Sequence, residues 1–377
     1  MKKSIILSFI LATFCFGIKF EVIDADMKFN KDFNLPFVPN IGYGSGAFHM
    51  KNDEKDIIYT ITDRGINIDC KDTKKILGDE YCKEGKVFPY PEFSPTIFKL
   101  KITDNGYEIL QEIKLKTSEN NLISGVSNPN TEPSFSLDKK EIYDVNGMDS
   151  EALAIASDGI IYIADEYGPS IFIADKNGVI TERLVPKGVA KTLNGATYKI
   201  TECFPSKLRE RQLNRGLEAI AISNDEKKLY TILQSPYKDE IDKKIVPFFV
   251  IDRAKKEVLK TFLYPLDDVK SFTKDNKKKI RKQNDVKISE MSALPDGNLV
   301  VLERISKTTK FYKINPKNVQ NGVLQKELIF STDNYDGFPS KIEAIAIIDK
   351  NNWILINDND FGIENDKTQI IKVNLEK

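Results

Sequence analysis

The sequence is short of residues on which many metal sites and hydrolases depend. Its 377 residues include a single histidine, His49. A lone histidine cannot supply a histidine-rich metal site, and it argues against a serine–histidine hydrolase unless His49 itself is the base. We expect His49 to be an ordinary packed or surface residue. Lysines plus arginines equal acids at 56 each, so no net field recruits nucleic acid or an anionic membrane.

The N-terminal segment differs in kind from the rest. Met1-Lys2-Lys3 is basic, Ser4 to Phe16 is almost entirely apolar, and Gly17 is a small residue at a plausible cleavage position. This order predicts a secretory signal peptide over residues 1–17. A membrane-spanning helix is the alternative, but the apolar run is short for a bilayer. We therefore expect one mature domain over residues 18–377, periplasmic or secreted, without stable membrane insertion.

Cysteine is scarce in the expected mature chain, which holds Cys70, Cys82 and Cys203. Three scattered cysteines without a nearby histidine do not make a zinc site. An exported chain can form disulfides, and Cys70 and Cys82 close a short loop. We predict that these two are bridged and that Cys203 is a free, buried thiol.

Long amphipathic helical patterns are also scarce, and short apolar strands dominate. One unit recurs: a glutamate, small and aliphatic residues, a turn, and a return to an acid or amide. Its apolar arms around a turn predict a β-hairpin in each copy. The copies run from Glu151 to Asp165, from Glu218 to Gln234, from Glu290 to Glu303 and from Glu343 to Asp358, with a weaker one from Gly44 to Asp63.

The hairpins belong to larger units. After the hairpin that starts at Glu151 come a third strand and a more polar fourth one, and the innermost strands are rich in small residues. Four antiparallel strands of this kind predict a β-propeller blade. We expect an all-β fold, a single propeller of six four-stranded blades, with five or seven as alternatives. The segment from Ser45 to Glu151 has room for one blade plus either a degenerate blade or a long loop. Trp353, within a strand, is expected in the core.

Residues equidistant from a hairpin turn face each other across the strands. Like charges directly opposite destabilise a strand pair, so repeated pairs of acids call for a metal, an arginine or a shared proton. Reflection through the turns pairs Glu151 with Asp165, Glu290 with Glu303, and Glu343 with Asp358.

Five ordered motifs resemble the phytase-like family, also described as "esterase-like activity of phytase", a family of exported bacterial propellers. The motifs are Ile61-Thr-Asp-Arg-Gly, Ala164-Asp-Glu-Tyr-Gly-Pro-Ser-Ile, Asn214-Arg-Gly-Leu-Glu-Ala-Ile-Ala, Ile288-Ser-Glu-Met-Ser-Ala-Leu with Leu302-Glu-Arg, and Ile342-Glu-Ala-Ile-Ala with Asn357-Asp-Asn-Asp-Phe. The resemblance runs over nearly all of the expected mature chain. It implies a propeller fold and an acidic pocket.

The hairpins gather carboxylates at one mouth of the channel. Oxygen-only clusters suit hard cations, so we predict a divalent ion, Ca²⁺ first, with Mg²⁺ or Mn²⁺ as alternatives. The predicted metal ligands are Asp63, Glu151, Asp165, Glu218, Glu290, Glu343 and Asp358. Strand residues alternate faces, so Asp165 and Glu166 cannot both face the axis. The predicted catalytic residues are Glu151, Glu166 and Glu303, with Arg64, Arg215 and Arg304 beside the acids.

Metal ions and arginines together can bind phosphate. We therefore predict a metal-dependent hydrolase of phosphate esters or related esters, a monomer that acts on a small anionic molecule. Two alternatives stay open. One is a non-catalytic binding propeller with a structural Ca²⁺ or an anion in its channel, and the other is a lactonase-type esterase. No nucleic-acid partner is expected, and the basic run from Lys274 to Lys282 is expected to be solvated.

Overall fold

The computed structural model describes residues 17–129 and 131–376. The predicted signal peptide lies outside the described residues, except for Gly17. Within them, most regular structure is antiparallel strand, in five four-stranded units that we call blades 1 to 5.

Each blade is numbered in chain order and its strands run from the channel outward. Blade 1 is Gly46–Phe48, Ile57–Ile61, Thr96–Ile102 and Tyr107–Lys114; blade 2 is Ser150–Ile155, Ile161–Asp165, Ser170–Ala174 and Ile180–Pro186; blade 3 is Leu217–Ile222, Lys228–Leu233, Ile245–Asp252 and Glu257–Pro265; blade 4 is Lys287–Ala293, Leu299–Arg304, Thr309–Gln320 and Val323–Ser331; blade 5 is Ile342–Ile347, Asn352–Asn357, Gln369–Leu375 and Ile18–Asp24.

The first strands of the five blades close a ring. Each contacts the first strand of the next blade, and the first strand of blade 5 contacts that of blade 1. The β-propeller prediction is therefore confirmed, but the described residues form five blades in place of the expected six. The segment between Ser45 and Glu151 holds one blade plus a long insertion. Length alone could not distinguish that insertion from a blade.

The ring is closed by strands from both ends of the described chain. Ile18–Asp24 pairs antiparallel with Gln369–Leu375, from Ile18 opposite Leu375 to Asp24 opposite Gln369. Blade 5 thus takes its outermost strand from the N-terminal side and its other three from the C-terminal side. This pairing ties the two ends through main-chain hydrogen bonds.

Small side chains let the first strands crowd around the axis. Ala152, Ala219 and Ala344 are fully buried there. At Gly46 an added Cβ would stand 2.7 Å from the Cα of Ala152, so only glycine allows blade 1 to approach blade 2 this closely. Larger side chains fill the space between the blades farther out. Trp353 is one of them, buried against Phe311 and Phe330, which confirms its predicted core position.

Two further predictions on single residues are confirmed. His49 is a partly buried residue whose Nδ1 lies 2.8 Å from the carbonyl oxygen of Ile57. Cys203 is free and buried.

The remaining elements belong to insertions between strands. One insertion carries the Cys70–Cys82 disulfide, as predicted, and with Ser134–Phe135 it builds a small three-stranded sheet. Lys199–Phe204 adds a parallel fifth strand to blade 2. The other short elements are strands Met27–Lys28, Asn40–Ile41, Ile68–Asp69 and Lys86–Val87, α-helices Thr73–Leu77 and Thr273–Asn276, and 3₁₀ helices Cys70–Asp72, Ala190–Leu193, Ser206–Glu210, Val269–Ser271, Gln283–Asp285, Thr332–Asn334 and Asp360–Gly362. Within the described ranges, none of these helices has the length and apolar character needed to cross a bilayer.

Candidate functional site

A charged cavity of about 500 Å³ opens at the end of the channel where the first strands begin and the second strands end. All five blades contribute side chains to it. Nine of the predicted site residues line this cavity, namely Asp63, Arg64, Glu151, Glu166, Arg215, Glu218, Arg304, Glu343 and Asp358. The predicted gathering of these side chains is therefore observed.

The predicted pairing of acids across the hairpins is wrong, because a β-bulge falls at the glutamate. In blade 2, Ser150 pairs with Asp165 and Ala152 with Ala164, so Glu151 is the extra residue between them. Glu218 and Glu343 occupy the same bulge position in blades 3 and 5. A bulge re-aims a side chain and leaves its residue unpaired in the ladder. It therefore frees these glutamates from the strand register and presents them to the cavity.

In blade 4 the extra residue is Ser289 instead, so Ile288, not Glu290, lies opposite Glu303. Glu290 does not line the cavity. It is buried deeper among the first strands, where Oε1 accepts a hydrogen bond from the backbone N–H of Met291 at 2.7 Å. Its predicted place among the ligands at the mouth is thus corrected.

Asp165 and Glu303 also lie outside the cavity, and each belongs to a buried ion pair. Asp165 binds Arg183, with Oδ2 at 2.7 Å from Nη2. Glu303 is paired with Lys326 and accepts a hydrogen bond from the hydroxyl of Tyr264 at 2.7 Å. The prediction that Asp165 and Glu303 face the channel mouth is therefore wrong. Side chains alternate along a strand, so these two point into their blades while their sequence neighbours Glu166 and Arg304 face the cavity.

Three carboxylates form the most compact group in the cavity. Ligand oxygens of Asp63, Asp149 and Glu151 all lie within 4.8 Å of one another. Burial raises the pKa of all three, and the neighbouring carboxylates add to the effect on Asp149 and Glu151. For Asp63 the pKa rises to about 6, because burial outweighs the opposing charge of Arg64. The charged form of this group is therefore unfavourable unless a cation neutralises it.

Arg64 is the cation built into this group, and it is almost completely buried. Its Nε lies 3.3 Å from Oδ1 of Asp149, and its Nη1 lies 3.3 Å from Oε2 of Glu132. Its Nη2 donates to Oδ1 of Asn214 at 2.8 Å. These partners fix the guanidinium plane. Neither carboxylate oxygen of Asp149 has a hydrogen-bond partner among the described residues, although Oδ1 is in ion-pair contact with Arg64.

The wall from blades 3 to 5 carries bases beside carboxylates such as Glu343 and Asp358. Arg304 is paired with Glu343, while its buried Nε has no hydrogen-bond partner in the described part of the chain. Arg215 donates from Nη1 to the hydroxyl of Ser235 at 2.8 Å and to the carbonyl of Asn284 at 3.0 Å. Lys287 also lines this wall, and burial followed by the charge of Arg304 lowers its pKa.

Between the two walls stand Glu166, Glu218 and Gln234. The amide Nε2 of Gln234 donates to Oε1 of Glu166 at 2.5 Å. Burial raises the pKa of both glutamates, and the negative charge of Glu218 raises that of Glu166 further. Glu218 Oε2 and Gln234 Oε1 are buried without a hydrogen-bond partner among the described residues. Buried acceptors without a partner are costly, and an ordered water or an ion commonly satisfies them.

Sequence reasoning missed several residues of this cavity as site residues, among them Asp149, Asn214, Gln234 and Lys287. Asp149 could have been found, because it precedes Glu151 by two positions and residues two apart in an extended chain point to the same side. Lys287 lies opposite Arg304 in the ladder of blade 4. A pattern search restricted to acids had no means of finding it.

The insertion with the disulfide forms the outer wall of the cavity. Ile68, Lys75 and Lys86 line the cavity from this side. Lys75 reaches across to Glu364, in the loop that follows Asp360–Gly362, with 3.0 Å between Nζ and Oε1. Both side chains of this pair are largely exposed, so it contributes little to stability.

The closed ring and its charged mouth define a β-propeller with a mixed acidic and basic site. The chain belongs to the phytase-like family, described as "Esterase-like activity of phytase", whose family model matches residues 89–361. This agrees with the resemblance found in the five motifs.

Other similarities are more distant. A protein of Arthroderma benhamiae named "Uncharacterized secreted protein" is 29% identical over 100 residues, which cover 23% of this chain and 20% of that protein. The chain therefore spans about a fifth of the length of this curated relative.

Among solved structures, virginiamycin B lyase from Staphylococcus aureus is 14% identical with a TM-score of 0.36, over 95% of this chain and 100% of that one. The aldose sugar dehydrogenase from Streptomyces coelicolor is 8% identical with a TM-score of 0.33, over 95% and 98%. At these values neither likeness bears on the activity of this chain.

Proposed function

We propose that this protein is a metal-dependent hydrolase of phosphate esters or related esters. The observation that carries the proposal is that acidic and basic side chains line different walls of one cavity. The carboxylates of Asp63, Asp149 and Glu151 converge on one wall, and Arg215, Lys287 and Arg304 stand on another. A cation and an anion can be bound side by side in such a site.

The carboxylate wall fits a divalent cation. Its donors are oxygens only, its three carboxylates crowd together, and Oδ2 of Asp149 is buried without a hydrogen-bond partner among the described residues. Such donors suit Ca²⁺ first, with Mg²⁺ and Mn²⁺ as alternatives. Asp63, Asp149 and Glu151 would hold the ion. A bound ion would supply Lewis-acid polarisation of a phosphoryl or acyl oxygen and a lowered pKa for water.

The basic wall would bind and orient the substrate anion. The unpartnered Nε of Arg304 and the ammonium of Lys287 offer donors to phosphate oxygens, and Arg215 adds positive charge beside them. Glu166 is held in place by Gln234, within the same cavity. Burial raises the pKa of Glu166, as is common for carboxyl groups that transfer protons in catalysis.

We also propose that the protein is exported to the periplasm or secreted after cleavage near Gly17, and that it acts as a monomer on a small anionic molecule. Three findings support export: the Cys70–Cys82 disulfide, a relative named as secreted, and the basic–apolar order of residues 1–17.

The test is an activity panel on purified protein. Phytate, an aryl phosphate, an aryl ester and a lactone are each incubated with added Ca²⁺, Mg²⁺ or Mn²⁺, and with a chelator. We expect metal-dependent release of phosphate that Glu151→Gln abolishes. Glu108→Gln is the matched control, because Glu108 is an exposed glutamate on the outermost strand of blade 1, and it keeps the wild-type rate.

Other outcomes separate the alternatives. Turnover of the lactone alone would favour the lactonase-type esterase. No turnover of any substrate, together with a melting temperature raised by the metal, would refute the hydrolase and favour a binding propeller.

A further inference from the structure

Asp149 stands in the carboxylate group, yet it lies just before the first strand of blade 2 and outside its ladder. Because no ladder hydrogen bonds fix this segment, its position depends on contacts with neighbouring elements. The turn after the second strand of blade 2, residues 165–170, packs against the segment 147–149 and provides such contacts.

The turn holds both main-chain groups of Asp149. The N–H of Asp149 donates to Oδ1 of Asp165 at 3.1 Å. The carbonyl of Asp149 accepts the N–H of Glu166 at 3.0 Å. Two consecutive residues of one turn therefore fix the peptide groups on either side of the Asp149 side chain.

Ser170 and Arg183 in turn fix the carboxylate of Asp165. Its Oδ2 accepts the hydroxyl of Ser170 at 2.6 Å and Nη2 of Arg183 at 2.7 Å. The Nε of Arg183 donates to the Ser170 hydroxyl at 2.8 Å, which closes a three-membered network. Arg183 is almost completely buried, and it packs over the ring of Phe172 with 4.4 Å from its Cζ to the ring centre.

The turn packs closely against this network. At Gly168 an added Cβ would stand 2.6 Å from Nη2 of Arg183. One residue before, the hydroxyl of Tyr167 donates to the carbonyl of Gly147 at 2.9 Å and accepts the N–H of Asn128 at 3.2 Å. The segment that carries Asp149 is thus held by three successive residues of the turn, Asp165, Glu166 and Tyr167.

We propose that Asp165 is a positioning residue, which Arg183 and Ser170 lock in place so that it fixes the main chain of Asp149 with the carboxylate directed toward Asp63 and Glu151. Asp165 touches neither the cation nor the substrate. This inference rests on the proposed function, because it assigns Asp165 a role toward the proposed cation site. Outer-shell partners of this kind typically change metal affinity by about 10- to 100-fold when they are removed.

The test uses the full mature chain, two substitutions and two readouts. Asp165→Ala removes the acceptor of the Asp149 N–H, whereas Asp165→Asn keeps an oxygen there. Ca²⁺ affinity is measured by calorimetry, and hydrogen exchange is measured on peptides that span residues 147–150. We expect Asp165→Ala to weaken Ca²⁺ binding about tenfold or more and to speed exchange at Asp149. Asp165→Asn keeps one acceptor oxygen for the N–H of Asp149 but replaces the oxygen that accepts from Ser170 and Arg183 by an amide NH₂, so its effect on both readouts should be smaller than that of Asp165→Ala.

Glu303→Ala is the matched control for a lost buried ion pair. It removes a fully buried, paired carboxylate in blade 4, outside the cavity. Its Ca²⁺ affinity and its exchange at Asp149 should stay at wild-type values. If Asp165→Ala does not fold, Ser170→Ala takes its place, since it removes one hydrogen bond from Asp165 and one from Arg183 and should shift both readouts in the same direction.

The two proposals fail differently. Wild-type protein that binds no divalent cation would refute the cation site, and the exchange readout would still decide the role of Asp165. Unchanged exchange at Asp149 in Asp165→Ala, or Ca²⁺ affinity lowered equally by Glu303→Ala, would overturn the positioning role.

Discussion

Replacing Asp149 by asparagine should make the metal-free protein more stable, which is the reverse of the usual effect of a substitution at a buried site. Each carboxylate pair in the group lies within 4.8 Å, so repulsion is at least about 3.5 kcal/mol per ionised pair at an effective dielectric constant of 20. Asp149 takes part in two such pairs. Its attraction to Arg64 at 3.3 Å is worth about 5 kcal/mol on the same scale. The difference, about 2 kcal/mol, favours asparagine.

Burial raises the pKa values of Asp63 and Asp149, so the folded protein disfavours their charged forms and the Coulomb difference is an upper figure. We therefore expect Asp149→Asn to add about 1–2 kcal/mol to the free energy of unfolding in the presence of a chelator. Calcium should act oppositely on the two proteins. At a hundred times its dissociation constant it stabilises the wild type by about 2.7 kcal/mol, and it leaves the variant unchanged.

The assay is urea unfolding at pH 7.5, followed by tryptophan fluorescence, with a chelator and with saturating Ca²⁺. Asp239→Asn is the control, because Asp239 is exposed and does not line the cavity, and it should show the wild-type gain with Ca²⁺. The reasoning is refuted if Asp149→Asn is less stable than the wild type in chelator and still gains stability from Ca²⁺.

Three further predictions concern the fold. Burial opposes ionisation of Asp267, but ion pairs with lysines outweigh burial and lower the pKa of this carboxyl. The stability that ionised Asp267 contributes is therefore present above about pH 3.8 and is lost as the pH falls below it. Urea unfolding should show the free energies of unfolding of Asp267→Asn and the wild type converging as the pH falls toward about 2. Trp353→Ala should cost about 3–5 kcal/mol of unfolding free energy, against less than about 0.5 for Leu213→Ala, whose side chain is half exposed; equal losses would contradict the core assignment. Joint replacement of Cys70 and Cys82 by serine should destabilise the insertion by about 2–3 kcal/mol, seen as faster hydrogen exchange in residues 65–88, and unchanged exchange would show that the bridge is dispensable.

The hairpins could be predicted from the sequence because their signal is local. Apolar alternation on both sides of a turn such as Pro295-Asp-Gly identifies two strands without knowledge of the rest of the chain. The number of blades needs non-local information. Nothing in the segment between Ser45 and Glu151 distinguishes an insertion stapled by a disulfide from a weakly patterned blade.

The site was predicted well at the level of region and less well at the level of side chain. Reflection through the turns assumed unbroken ladders, and the bulges at Glu151, Glu218 and Glu343 break them. A bulge adds one residue to the first strand, so the side a glutamate faces no longer indicates the side faced by the acid across the hairpin. The directions of Asp165 and Glu303 follow instead from alternation along the second strand, which sends them into their blades.

The asymmetry of the mouth follows from repeats that differ in composition. Every blade brings residues to the same edge, at the start of its first strand and the end of its second. Blades 1 and 2 place Asp63, Asp149 and Glu151 there, whereas blade 4 places Lys287 and Arg304 there. Identical repeats would give a ring of one charge, which could neutralise an ion on the axis but could not orient a polar substrate. On the proposed function, divergence between the repeats would instead provide one wall for a cation and another for an anion, which a hydrolase needs and a protein that only holds an ion does not.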